Sequence, residues 1–122
     1  MSGIDYVADT NAIIYLLAGN GCMEAYKDAS IGVSVISEME LLSFPRITEQ
    51  ESQIIKNLLS HCIIFPLQHE IKNQGIYLRK VFGMKLPDAI VAATAMTQQL
   101  PLLTVDKAFA KLQGLNLYLL EP

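Results

Sequence analysis

Short apolar runs alternate with helical patterns along the whole chain. "IDYVAD" reads as a strand and "NAIIYLLAG" as the helix after it, before a break at Gly19-Asn20-Gly21. "GCMEAYKDA" predicts a short helix, "IGVS" a brief strand, and "VISEMELLS" a helix ended by Ser43-Phe44-Pro45. In "TEQESQIIKNLLSHC", Thr48 is placed to cap a helix and Glu51 completes a capping-box pattern. "CIIFPL" follows as a strand that Pro66 ends. "HEIKNQGIYLRKVFG" predicts a helix closed by Gly83, and "PDAIVAATAMTQQ" one with Pro87 in its first turn. "PLLTV" is a strand, "KAFAKLQ" a short helix stopped by Gly114, and "LNLYLL" a final strand.

Strands that alternate with helices build βαβ units, and so an α/β fold with a mostly parallel sheet covered on both faces. The predicted strands are apolar throughout, as a doubly covered sheet requires. Sites in such folds lie at the carboxyl ends of the strands. Asp9 directly follows the first strand, and Asp106 directly follows "LLTV". Each also precedes a helical pattern, and Asp is a favoured N-cap, so the local pattern admits a cap or a site residue. Asp88 falls in the first turn of its helix, where a carboxylate complements the macrodipole. Helical spacing places Val91, Ala92 and Ala95 on the same face, a small apolar stripe suited to packing on the sheet. Asp88 thus ends a buried face, and a carboxylate there needs a partner. In "VISEMELLS" the expected core face is Val35, Ile36, Met39 and Leu42. Glu38 and Glu40 flank it, and periodicity does not choose between them.

A hydrophobic fraction of 52% over 122 residues suits one domain with one core. The longest apolar run, "AIIYLLAG", is far short of the roughly 20 residues of a membrane span. No charged segment leads into an apolar stretch and cleavage site, so no signal peptide is expected. Cys22 and Cys62 stand apart and outside any C-x-x-C pattern, which points to a reducing cytoplasm rather than a disulfide framework. His61 and His69 have no partner at zinc-ligand spacing. The net charge of −3 argues against a generally basic nucleic-acid surface. Within it, "LRKVFGMK" sets Arg79, Lys80 and Lys85 just ahead of Asp88, either as a phosphate track or as a solvated helix end. Carboxylates gathered at one sheet edge repel one another. A hard divalent cation, Mg²⁺ or Mn²⁺, resolves that repulsion with oxygen ligands.

"VADTNAII", "VSVISEMELLSFP", "KLPDAIVAATA" and "LLTVDKAF", in this order and at this spacing, resemble the PIN-domain family over essentially the whole chain. The resemblance is closest to the VapC-type toxins of bacterial and archaeal toxin–antitoxin pairs. It implies a three-layer α/β/α sandwich spanning residues 1–122. It assigns Asp9, Glu40, Asp88 and Asp106 as the catalytic, metal-holding acids, choosing Glu40 over Glu38 because the family acid precedes a Leu, as in "MELL". Thr10, Asn11 and Thr104 match polar positions that orient carboxylates or waters. The implied activity is cleavage of RNA phosphodiesters with one or two Mg²⁺ or Mn²⁺ ions. The implied partners are RNA, an antitoxin that can insert an arginine into the acidic pocket, and a second copy of the chain. Apolar area from "IIYLLAG" to "QIIKNLL" suits such contacts or ordinary core.

Two rival readings differ in class. A receiver-type signalling domain needs paired acids after the first strand, an Asp after the third and a Lys after the last. Here "CIIFPL" is followed by no Asp, and "LNLYLLEP" holds no Lys. A catalytically silent PIN-fold binding module keeps the fold without the reaction, and the presence of all the family acids weighs against it.

Overall fold

The computed structural model describes residues 3–122, so the expected unit of residues 1–122 begins with two residues that lie outside the described ones. Five short strands form one sheet: β1 (Tyr6–Ala8), β2 (Ile31–Ser34), β3 (Ile63–Phe65), β4 (Leu102–Thr104) and β5 (Leu117–Leu119). Their order is β3-β2-β1-β4-β5, and every pairing is parallel. The helices are α1 (Thr10–Leu17), α2 (Val35–Leu42), α3 (Glu49–Leu59), α4 (His69–Phe82) and α5 (Leu86–Gln98).

Alternate residues of a strand face opposite sides of the sheet. Val7 and Leu102 accordingly pack with Ile71 and Leu78 of α4 and Ala89 and Val91 of α5. Ala8 and Leu103 pack with Ala12 and Ile13 of α1, Leu41 of α2 and Ile55 and Leu59 of α3. The result is a three-layer α/β/α sandwich. Double cover reaches only the central strands. Ile63 on β3 and Tyr118 and Leu119 on β5 are exposed, because these strands lie at the sheet edges.

The helix ends follow their sequence signals. Thr48 and Glu51 exchange both bonds of the capping box, each at 3.0 Å. Gly83 ends α4 at φ 67°, a conformation glycine adopts at no steric cost. Two expected short helices, Gly21–Tyr26 and Lys107–Lys111, are 3₁₀ rather than α. Asn20 and Asp106 each accept a bond from the amide two residues on, which favours a tight turn at these short segments.

The expected core face of α2 is corrected. Ser37 and Leu41 are its buried residues; Val35, Ile36 and Leu42 are only partly covered, and Met39 is 59% exposed. Buried Ser34 ends β2 and caps α2, so the helix starts with no linker. The strand end, not the helix's own apolar count, sets its rotation.

Strands β1, β2 and β3 progress towards one edge; β4 and β5 lie on the other side of β1. The topological switch point is therefore between β1 and β4, where a parallel sheet opens a crevice at its carboxyl end. No helix among the described residues is long and apolar enough to cross a membrane.

Candidate active site

Asp9 is the first residue past β1, and it both caps α1 and reaches the switch point. Its Oδ1 accepts from the Ala12 amide at 2.9 Å, while its Oδ2 accepts from Thr104 Oγ1 at the end of β4. Thr104 Oγ1 in turn accepts from the Asp106 amide at 3.0 Å. One buried hydroxyl thus joins the first and fourth strand ends and positions the acids that follow them. Asp106 caps the 3₁₀ segment through Ala108 at 2.8 Å.

Glu40 arrives from α2. Its Oε1 accepts from Thr10 Oγ1 at 2.6 Å, across thirty residues of sequence. Glu38 lines no part of this site. Asp88, in the first turn of α5, is half-buried, and its carboxylate accepts no hydrogen bond from the described residues. Asp9, Glu40, Asp88 and Asp106 line one cavity of about 180 Å³, with Thr10, Asn11, Phe44 and Val91. Asn11 borders it without bonding a carboxylate. Val91 lies beside Asp88, as helical spacing places it, while Phe44 had no sequence signal beyond its place at the end of the α2 pattern.

A second cavity of about 350 Å³ adjoins the first and shares Asp88 and Asp106 as its wall. Lys85 and Lys111 line it. Of the expected basic track, Arg79 and Lys80 are exposed on the last turn of α4 and line neither cavity.

The electrostatics reflect crowding. Burial pushes the Asp9 carboxyl above its ordinary value; the bonds from Thr104 and Ala12 oppose this, and the nearby Asp88 and Asp106 charges reinforce it. Asp88 is also raised, by burial first and then by Asp106 and Glu40, with Lys85 opposing. Among the described residues no group of three or more His, Cys, Asp or Glu side chains stands, as placed, in an arrangement that could hold a metal ion. The cavity offers carboxylate and hydroxyl oxygens and neither thiolate nor imidazole, a donor set suited to a hard cation rather than zinc.

A family model for the PIN domain matches residues 6–115. The chain belongs to the PIN domain family. Comparison with curated protein sequences finds no match. Among solved structures, this PIN domain is similar to a toxin–antitoxin complex from Klebsiella pneumoniae, at 29% identity and TM-score 0.79, covering 91% of this chain and 95% of that one. It also shares its fold with VapBC2 from Rickettsia felis bound to a promoter DNA fragment, at 20% identity and TM-score 0.81, covering 97% and 100% of the two chains. VapBC-1 from nontypeable Haemophilus influenzae is a further fold match, at 22% identity and TM-score 0.80, covering 95% and 98%.

Proposed function

We propose that this PIN domain is a metal-dependent endoribonuclease and the cytoplasmic toxin of a toxin–antitoxin pair. The observation that carries the reading is the convergence of carboxylates from four separate chain segments, Asp9, Glu40, Asp88 and Asp106, on one cavity at the switch point. Such mutual repulsion in a half-buried place is costly unless a cation joins it.

The donor set fits Mg²⁺ or Mn²⁺. Asp9, Glu40, Asp88 and Asp106 would hold one or two such ions. Asp88 offers a carboxylate that no described hydrogen bond occupies. The open arrangement suits Mg²⁺, which binds through one or two carboxylates and completes its shell with waters and substrate phosphate. The bound ion would supply positive charge for an in-line displacement at phosphorus and make a water more acidic. The protein's own residues prepare the site. Thr104 and the Ala12 amide hold Asp9 and favour its ionised form. Thr10 fixes Glu40. Phe44 and Val91 border the cavity with apolar surface.

The likeness to toxin–antitoxin complexes supports an antitoxin partner. An apolar groove of about 350 Å³, lined by Ile14, Leu17, Leu41, Phe44, Ile54 and Ile55 among others, suits the apolar face of such a partner's helix. Phe44 borders both groove and acidic cavity, so a segment seated in the groove would lie within reach of the carboxylates. An arginine from it would pair there. A homodimer remains part of the proposal.

The test is cleavage of mixed structured RNA with Mg²⁺ or Mn²⁺, beside Asp9→Asn purified identically. Cleavage by the wild type alone, stopped by EDTA and leaving 5′-phosphate ends, is the expected outcome. Equal cleavage by both proteins would place the activity elsewhere. A well-folded wild type that cleaves nothing would favour the silent binding module.

A further inference from the structure

The cavity beside the acidic site has a different chemistry. It is lined by Gly83 and Met84 at the end of α4, Lys85 and Asp88 at the start of α5, and Asp106, Ala108 and Lys111 around the second 3₁₀ segment. Lys85 occupies the N-cap position of α5 without a side-chain cap bond. Among the described residues neither the Lys85 nor the Lys111 ammonium makes a hydrogen bond or ion pair, the only ion pair being Lys27–Glu24, and Lys85 acts on Asp88 through its charge alone. Two lysines stay unpaired while lining a cavity that also contains two carboxylates. The wall at Gly83 has no side chain, and even an added Cβ there would meet nothing within 4 Å.

An anionic strand entering the acidic cavity must pass Asp88 and Asp106. Their repulsion is offset if the next phosphate along the strand meets positive charge on the far side of that wall. Lysine suits this as a point charge on a flexible stem. We propose that the cavity lined by Lys85 and Lys111 is a phosphate-binding subsite, which seats the RNA backbone phosphate next to the bond cleaved at the acidic site. Lys85 and Lys111 are then positioning residues that set the strand's register. Lys111 has this role although it lies outside the basic stretch that contains Lys85. The inference rests on the nuclease reading of the neighbouring cavity.

The test reads binding without cleavage. Anisotropy of a labelled mixed-sequence single-stranded RNA is followed against salt, in EDTA and in Ca²⁺, for the full chain and for Lys85→Ala, Lys111→Ala and the double variant. Loss of two phosphate contacts should flatten the slope of log K on log salt by about 1.4, or about 0.7 for each lysine, and weaken low-salt binding roughly tenfold. Lys111→Arg should restore most of the slope, and Lys27→Ala should leave it unchanged. Both lysines are exposed, so the fold should survive, and Lys111→Glu gives a stronger version of the same change. An unchanged slope in the double variant, or no RNA binding by the wild type in either condition, would overturn the subsite. The two readings fail separately. Metal-dependent cleavage with lysine-independent binding sinks the subsite alone, while lysine-dependent binding without cleavage sinks the nuclease reading and leaves the two lysines only an RNA-binding role.

Discussion

The acidic cavity and the apolar groove share two helices, α1 and α2, and differ in almost every physical respect. Helix α1 gives Thr10 and Asn11 to the cavity and Ile14 and Leu17 to the groove. Helix α2 gives Glu40 to one and Leu41 to the other, and Phe44 borders both. In the cavity, side chains are fixed by hydrogen bonds that cross the fold, Thr10 to Glu40 and Thr104 to Asp9. In the groove the floor is core, with Leu41 fully buried, but the rim leaves Ile54 half exposed. Each arrangement costs the free chain stability, one through crowded charge and the other through apolar surface in water. In the proposed reading a cation would relieve the first and an apolar partner the second. The difference separates chemistry, which demands preorganised groups, from recognition, which demands accessible area.

The sharpest break in this comparison is removal of one carboxylate. Asp9→Asn or Asp88→Asn should lower RNA cleavage by about 10²–10³ or more, the scale of losing one preorganised electrostatic group. Single-turnover cleavage with Mn²⁺ measures it, and a variant within fivefold of wild type would remove that acid from the site. Next come the hydroxyls that hold the acids. Thr10→Val and Thr104→Val should each cost about 10–100-fold in Mn²⁺ affinity or activity. Calorimetric titration of Mn²⁺ distinguishes this from a change in RNA binding alone. Thr104→Val is the more severe, since Thr104 serves both Asp9 and the Asp106 amide. The groove should respond in the opposite sense. Ile54→Asp should leave cleavage within twofold and weaken the antitoxin complex at least about tenfold. Loss of cleavage together with antitoxin binding would show that the two regions are not independent.

The sequence carried the acids further than it carried their surroundings. Asp9, Asp88 and Asp106 stand at strand ends or a helix start, boundaries marked by apolar runs and by Pro87, so their convergence at one sheet edge follows from the parallel fold. Glu40 did not follow from periodicity. Helix α2 runs straight out of β2 with Ser34 as its cap, and its rotation is inherited from the strand. Resemblance chose Glu40 over Glu38, and the bond from Thr10 supplies the physical reason. Lys111 was invisible because its place depends on how the 3₁₀ segment after Asp106 turns back towards the start of α5. The only available signal was a lysine shortly after a strand-end acid, a common arrangement. The exposure of β3 and β5 was hidden for a similar reason: their composition matches that of buried strands, and only strand order makes them edges.

The smallest effect is on stability, and pH sets its sign. Asp9 and Asp88 both titrate above the ordinary Asp range when folded, chiefly through burial. In the unfolded chain they should titrate near about 3.9. Folded protein therefore binds their protons more tightly. Their stabilising contribution is complete below the unfolded value and is lost as pH rises through the folded values. In EDTA, the share of stability owed to these groups should decline as pH climbs from about 4 and then level off above both folded values. Asp9→Asn removes part of that decline, and Asn is nearly as good an N-cap as Asp. At pH 7 in EDTA the variant should melt a few degrees higher, as about 1 kcal/mol would produce in a domain of this size. With saturating Mn²⁺ the order should reverse, because ligand at about 100 times its Kd adds about 2.7 kcal/mol to the wild type alone. Melting curves of both proteins across pH, with and without Mn²⁺, test each half. If Asp9→Asn melts lower than wild type in EDTA, the hydrogen bonds to Asp9 outweigh its repulsion. The metal-free site would then be a stabilising network rather than a strained one.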